Sequence, residues 1–381
     1  MLNQVHFVML SRTCSLNIMV SCNKFFWHVV FNLIEESATT AETWVPMDGD
    51  AFVTSEGFIF NVFGYEHLAE RVFAFLKYIP AQFKKLFHIN FLESTWTYKG
   101  TKLFRAEKLY TATNYHMFLE TFKANFPNYV YFCPFRAKEV ISVPIASVKT
   151  VYVPNACLQH LSRLKNRDCL QERTLELVNL FSTESKIGMQ DFGVHGSVAL
   201  NMHNAESDID LVVYGAQNFR KLERTIQRLV DAGTLSYKFS NRLDAARKYK
   251  GKYLGSTFMY NGVRKAEEVN VKYGQFRYAA VNPVRFECRV RDDSESMFRP
   301  ATYSIDSYVP ADAASALTEA NVPKRLVSMV GCYRNIARKG NRIRVSGMLE
   351  QVKNLETGES FYQVVVGTAT SEDEHIWPCS G

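Results

Sequence analysis

The sequence predicts an α+β protein of more than one domain. Three observations carry this. The chain has 381 residues, two to three times the usual domain size. Short strand patterns alternate with amphipathic helical patterns over 47–232. Strand patterns then dominate over 256–291 and again over 343–377. A composition of 47% hydrophobic and 22% charged residues excludes disorder, collagen and a coiled coil for the chain as a whole.

Residues 1–46 read as an N-terminal extension. Their apolar stretch over 5–34 is broken by Arg12 and Lys24, so it is too interrupted for a membrane span and lacks the layout of a signal peptide. It could be an amphipathic element, or a translated upstream region before a natural start at Met47. An α/β domain is expected over 47–156. Ala51–Thr54 and 57–63 read as strands around a Ser-Glu-Gly turn, and Leu68, Val72, Phe75 and Leu76 have helical spacing over 67–76. Strands at 96–98 and 103–105 flank Lys99-Gly100, and a helix over 116–126 ends at Pro127. Nothing in this region has the spacing of a catalytic motif.

A second domain is expected over 157–300. Leucines mark helices within 157–183 and over 219–232. Asn261-Gly262 reads as the turn of a hairpin between 256–260 and 263–271. Strands follow at 275–281 and 284–291; in the latter Arg285, Glu287, Arg289 and Arg291 alternate with Phe286, Cys288 and Val290. A C-terminal module is expected over 301–381: helices at 311–320 and 324–337, then a β hairpin at 343–353 and 360–367 with a further strand at 374–377.

Charge is regional. Forty-five Lys and Arg against 38 Asp and Glu give a net +7. Residues 235–300 hold 14 bases and 7 acids, and 324–344 hold seven bases and no acid. A polyanionic partner, RNA or another nucleic acid, could therefore meet the 235–300 region. The eight cysteines include no C-x-x-C pair, which points to reduced thiols and a cytoplasmic protein without a zinc site.

The chemistry concentrates in residues 193–215. Gly196-Ser197 opens a short helical pattern, where a glycine lets a ligand approach the backbone and a hydroxyl can donate to a phosphate. Ten residues later Asp208-Ile209-Asp210 runs into the apolar strand Leu211–Tyr214. Alternation puts both aspartates on one face. Two carboxylates about 4 Å apart repel by about 4 kcal/mol at an effective dielectric near 20. A shared proton, neighbouring bases or a divalent cation would relieve this. Mg2+ suits carboxylate and phosphate oxygens together. The alternative for the whole unit is a helix start followed by a strand with a solvated acidic end, but spacing, strand and helix all agree with a functional site.

Gly196-Ser197, ten intervening residues and Asp208-x-Asp210 on an apolar strand resemble the signature of the DNA polymerase beta-type nucleotidyltransferase superfamily. The opening from Asp48-Gly49-Asp50 to Phe60, the segment 191–214 and the hairpin residues Arg344-Val345-Ser346-Gly347 resemble an uncharacterised archaeal nucleotidyltransferase family. The resemblance runs from about Met47 to the C-terminus. It implies a mixed-sheet domain in which Gly196 and Ser197 hold the phosphates of a nucleoside triphosphate and Asp208 and Asp210 bind catalytic Mg2+. An acceptor hydroxyl then attacks the α-phosphate and pyrophosphate leaves. The superfamily usually has a third carboxylate on a later strand. Glu287 is the first candidate and Glu268 the second, although a salt bridge with Arg285 or Arg289 would also explain Glu287. Arg264 and Lys265, after the expected hairpin turn, are placed to approach the phosphates. His195 and His203 read as local structural residues. Arg242, Arg247, Lys248, Lys250 and Lys252 form either a solvated face or a triphosphate or nucleic-acid contact. The rival to an enzyme is a non-catalytic nucleotide- or RNA-binding protein that keeps the fold.

Overall fold

The computed structural model describes residues 44–379, which belong to one compact unit. The extension expected at 1–46 lies outside the described residues apart from its last three. Among the described residues no helix is long and apolar enough to cross a membrane, and no cysteine is disulfide-bonded.

The first sheet has eight antiparallel strands: β1 (Ala51–Thr54), β2 (Ile59–Val62), β3 (Arg71–Pro80), β4 (Trp96–Tyr98), β5 (Thr101–Phe104), β6 (Val130–Cys133), β7 (Lys138–Pro144) and β8 (Val148–Tyr152). The order is β4-β5-β3-β2-β1-β8, with β7 and β6 continuing from β3. Helix α1 (Ala112–Asn125) buries Phe118, Leu119 and Phe122 against Phe52, Phe58 and Phe60 on one face. The helix expected over 67–76 is instead β3. Its apolar positions fit both periods, but Val72, Ala74 and Leu76 are buried while Arg71, Phe73, Phe75 and Lys77 are less so, and a β-branched and aromatic run favours the strand.

The second sheet is mixed. Helices α2 (Pro154–Arg163) and α3 (Cys169–Ser185) lead into β9 (Phe192–His195), the short α4 (Gly196–Ala199), β10 (Ile209–Tyr214) and α5 (Ala216–Asp231). Then come β11 (Ser236–Tyr237), α6 (Arg242–Arg247), β12 (Lys250–Tyr253) and β13 (Ser256–Val263). The order is β11-β12-β13-β10-β9, and β10 and β13 are parallel. Ile209, Leu211 and Val213 point into a core with Leu177, Phe181, Leu222 and Ile226 of α3 and α5. The opposite face meets the first sheet. Gly49, at φ +99°, sits so close that a Cβ there would lie 2.9 Å from Val263 and 3.8 Å from Val212. Ala199, Leu200 and Met202 pack with Tyr78 and Tyr152 of the first sheet.

The hairpin expected at Asn261-Gly262 does not form. Strand β13 runs straight through both residues, pairing Asn261 with Val212 and Gly262 with Val213. Gly262 is required by packing: a Cβ there would sit 2.9 Å from Met297 and 3.1 Å from Phe219.

The third sheet comprises β14 (Phe276–Glu295), β15 (Ala301–Pro310), β16 (Arg325–Ser328), β17 (Arg342–Asn354), β18 (Ser360–Val366) and β19 (His375–Pro378). β14 also pairs with β17 from Phe276 to Arg289, so five strands close into a barrel. Val284, Phe286, Cys288 and Val290 fill its core with Tyr303, Leu326, Val345 and Val364. The two strands expected at 275–281 and 284–291 are therefore one, and it belongs to this barrel. The helices expected at 311–320 and 324–337 are short 3-10 turns and strand β16. Their apolar spacing reflects residues such as Leu326, Tyr333 and Ile336 dropping into the barrel core from irregular backbone.

Candidate active site

The site lies on the face of the second sheet that looks toward the first. Asp210 on β10 pairs in register with His195 on β9 and Met259 on β13, and Lys250 on β12 lies opposite Met259. These four side chains form one cross-strand row. Asp208, two residues earlier, shares the face of Asp210 and lies beside Thr257.

Gly196 links the corner to the pair. Its φ is +70°, and a Cβ there would lie 2.1 Å from Oδ2 of Asp210. Only glycine fits this position, on both conformational and steric grounds. Ser197 follows at once, and its hydroxyl has no protein partner among the described residues. His203 anchors the loop between corner and pair. Its Nε2 lies 2.7 Å from Asp168, which caps α3 through the amides of Leu170 and Gln171. His203 thus has the local structural role expected from its spacing.

The electrostatics single the site out. Burial pushes both aspartates above the usual carboxylate range, and Asp210 pushes Asp208 further. Lys77, Arg105 and Lys250 pull Asp210 back down, and Lys250 and Lys238 do so for Asp208. Yet no cation lies within the 4.0 Å ion-pair distance of either aspartate among the described residues. Lys77 has its pKa lowered to about 7, by burial and then by Arg105, against the pull of Asp210. Burial, then Lys77, Arg334 and Arg299, lower His195 to about 3, so its ring is neutral, and its buried Nε2 has no hydrogen-bond partner. Arg105 likewise keeps a buried Nε without a partner. Charged groups that face one another unpaired, in partly buried positions, are the mark of a ligand site.

Lys77 and Arg105 come from the first sheet, where the sequence showed no motif. A β-bulge presents Lys77: Ile59 pairs with Tyr78 and Phe60 with Leu76, which leaves Lys77 as the extra residue. In consequence Leu76 and Tyr78 point to opposite faces, into different cores. Bulges carry no local sequence signature of their own, and the position of Arg105 near Asp210 depends on long-range packing.

Other expected residues lie elsewhere. β13 begins at the level of the aspartates and ends at Val263, beside Tyr214. Arg264 is five residues beyond Met259, about 17 Å along the strand. There Arg264 pairs with Glu295 and lies 4.2 Å over the ring of Phe298, and Lys265 is 2.8 Å from Asp191. The expectation that Arg264 and Lys265 approach the phosphates is corrected by the strand that replaces the hairpin. Glu268 accepts from the amides of Ala216 and Lys265 at that same end, capping α5. Glu287 points outward from the barrel, bound by Arg344 and Arg342, which hold its carboxyl below the usual range. It is absent from the groups acting on either aspartate, so the salt-bridge alternative describes it, with arginines of β17 in place of Arg285 or Arg289. Among the described residues no third Asp, Glu, His or Cys joins the pair to form a metal-binding group. The basic cluster also divides. Arg242 stacks 3.6 Å over Trp377, Arg247 is buried 3.6 Å over Tyr249, and Lys248 donates to Gln227. Only Lys250 of that cluster acts on the aspartates.

Asp208 and Asp210 fit a divalent cation: two desolvated carboxylates on one face without a direct ion pair, beside a glycine that leaves Oδ2 of Asp210 uncovered.

Comparison with known proteins agrees with this geometry. Residues 176–256 match the model of the family described as Nucleotidyltransferase domain, and that segment contains Gly196, Ser197, Asp208, Asp210 and Lys250. The chain is 26% identical over 342 residues to the uncharacterized protein MJ1086 of Methanocaldococcus jannaschii, a match covering 84% of this chain and 94% of that protein. No solved structure matches it. The segment that brings the glycine-serine corner onto the aspartate pair is thus similar to a nucleotidyltransferase domain, within a chain similar over most of its length to an uncharacterised archaeal protein.

Proposed function

We propose that the protein is a Mg2+-dependent nucleotidyltransferase that moves a nucleoside monophosphate from a nucleoside triphosphate to an acceptor hydroxyl and releases pyrophosphate. The observation that carries this reading is the contact between the corner and the pair: Gly196 leaves no room for a Cβ beside Asp210. Asp208 and Asp210 would hold Mg2+, which neutralises charge on the triphosphate. Gly196 and Ser197 bring backbone amides and a hydroxyl to the phosphates. Lys77, Arg105 and Lys250 supply positive charge from the facing wall and the neighbouring strand. In partly desolvated surroundings such fixed charges act more strongly than in water. Bond formation from the acceptor oxygen to the α-phosphorus balances cleavage of the bond to the pyrophosphate oxygen.

The test is incubation with each labelled triphosphate, Mg2+ and cell fractions of RNA, protein and metabolites, with pyrophosphate release as the readout. Release that disappears in the double variant Asp208→Ala, Asp210→Ala supports the reading. Release that persists in that variant removes it.

One observation favours a second reading, a nucleotide- or RNA-binding protein without turnover. The strand position beside Asp210 is Met259, and Thr257 lies beside Asp208, so the parallel neighbour contributes no carboxylate. Triphosphate binding without pyrophosphate release in any fraction would favour it.

A further inference from the structure

A cavity of about 620 Å3 lies between the first sheet and the barrel. Its size falls in the range of small-ligand pockets, about 300–1,000 Å3. One edge reaches the candidate active site. Arg105 lines the cavity and also pulls down the Asp210 carboxyl, and its buried Nε has no partner among the described residues. Phe75, on the same wall, precedes Lys77 by two residues of β3, about 7 Å along the strand. None of the lining residues falls within 176–256, the segment that matches the nucleotidyltransferase family. The second sheet holds the corner and the aspartates; this cavity is built by the rest of the chain.

The lining selects what fits. Phe63, Phe73, Phe75, Tyr110 and Tyr273 bring five rings to the wall, beside Val140, Ile141 and Met329. Phe73 lies 5.6 Å from Tyr273, and Phe75 lies 5.5 Å from Tyr110. Tyr110 stays 46% exposed despite that contact, which leaves ring surface for a further aromatic group. The charge is balanced. Four glutamates line the cavity against two arginines and two lysines. Two of the glutamates are engaged: Glu372 accepts from the N–H and the hydroxyl of Thr113, and Glu374 from the amides of Gly367 and Thr368. Without a net field of one sign, such a wall does not concentrate a polyanion. Aromatic walls favour a ring over a flexible chain, because ring pairs add to the stabilisation that burial alone gives.

We propose that this cavity seats the acceptor, an uncharged small molecule that carries a hydroxyl on an aromatic body. The assignment rests on the transfer reading for the fate of that hydroxyl. Its oxygen bonds to the α-phosphorus, the bond from that phosphorus to the pyrophosphate oxygen breaks, and the hydroxyl proton passes to water. Seating is tested by calorimetric titration of the full chain at neutral pH with 2-naphthol, with its saturated analogue decahydro-2-naphthol and with 2-naphthyl phosphate. The naphthol should bind saturably, and each analogue about fivefold or more weakly than it, the value of one aromatic contact. Tyr110→Ala should cost about the same factor. Ala112→Trp, which fills the cavity from the first turn of α1, should abolish binding at an unchanged melting temperature. Mg2+ with an α,β-methylene triphosphate should leave the naphthol affinity within about twofold, since donor and acceptor must bind together. In the pyrophosphate assay, naphthol should compete with the metabolite fraction and not with the triphosphate. No saturable binding, equal affinity for the saturated analogue, tighter binding of the phosphate, or full binding in a folded Ala112→Trp would each overturn the proposal. Displacement by the triphosphate would also overturn it, by giving the cavity to the nucleobase. The double variant Asp208→Ala, Asp210→Ala should bind naphthol as the parent does. Failure of transfer therefore shows as lost pyrophosphate release with binding intact, and failure of seating as lost binding with release intact.

Discussion

The two ends of the β10–β13 strand pair carry similar charged groups and treat them in opposite ways. At the far end these charges are matched: Arg264 with Glu295, Lys265 with Asp191, and Glu268 with two backbone amides. At the near end Asp208, Asp210, Lys77, Arg105 and Lys250 face one another with no ion pair between an aspartate and a cation. Both ends belong to one sheet and one fold. The difference shows that the near end is not arranged for stability. Paired charges hold a loop to a helix; unpaired ones keep an unfavourable field that a charged ligand relieves.

The largest effect should come from removing that field. The double variant Asp208→Ala, Asp210→Ala should lower pyrophosphate release by about a thousandfold or more, the equivalent of several kcal/mol of transition-state stabilisation. Thermal unfolding of the ligand-free protein should show a gain in stability on the order of 1 kcal/mol, because two like charges are no longer held together. A fall in stability would break the comparison, since the pair would then behave like the charges at the far end.

Gly196→Ala comes next. The substitution forces an L side chain to φ +70° and into Asp210, with a conformational cost of about 1–2 kcal/mol. Release should fall about a hundredfold through displacement of one carboxylate. Activity near the parent value would show that the corner and the pair work separately.

These residues were legible in the sequence because they lie within 15 positions and obey local rules: glycine at a forced turn, alternation along a strand. Lys77 and Arg105 were not. The bulge that turns Lys77 inward is visible only in the pairing of β3 with β2, and the packing of the first sheet on α4 brings it to Asp210. Arg264 and Lys265 were misplaced by one local signal. Asn261-Gly262 has the chemistry of a turn, but a buried parallel strand next to Met297 and Phe219 needs the same glycine. Glu287 was misplaced because alternation identifies an outward-facing residue without saying which sheet it faces out from. Much of the coarse layout, strands in the first region and helices flanking a sheet in the second, followed from periodicity. The barrel closure depended on the pairing of β14 with β17, some 60 residues away in the chain, and no local pattern encodes that.

Lys77→Met sharpens the comparison from the first sheet. The variant removes one cation of the near end without touching the family-matched segment. The KM for triphosphate should rise about tenfold, the loss of one charge-assisted contact, with kcat changed less. Lys77→Arg should restore most of the affinity. An unchanged KM would confine the site to the second sheet alone.

The smallest effect should be at the far end. Lys265→Met breaks a pair with Asp191 that is partly open to solvent, so stability should fall by less than about 1 kcal/mol. Pyrophosphate release should stay within about twofold of the parent, because about 17 Å of strand separates that end from the aspartates and salt screens exposed charges beyond about 10 Å. Glu287→Gln should leave both activity and melting temperature unchanged, since its partners Arg342 and Arg344 stand on the outside of the barrel. A large loss of activity in Lys265→Met would mean that the triphosphate spans both ends of the strand pair, and the contrast between matched and unmatched charge would then no longer mark where the ligand sits.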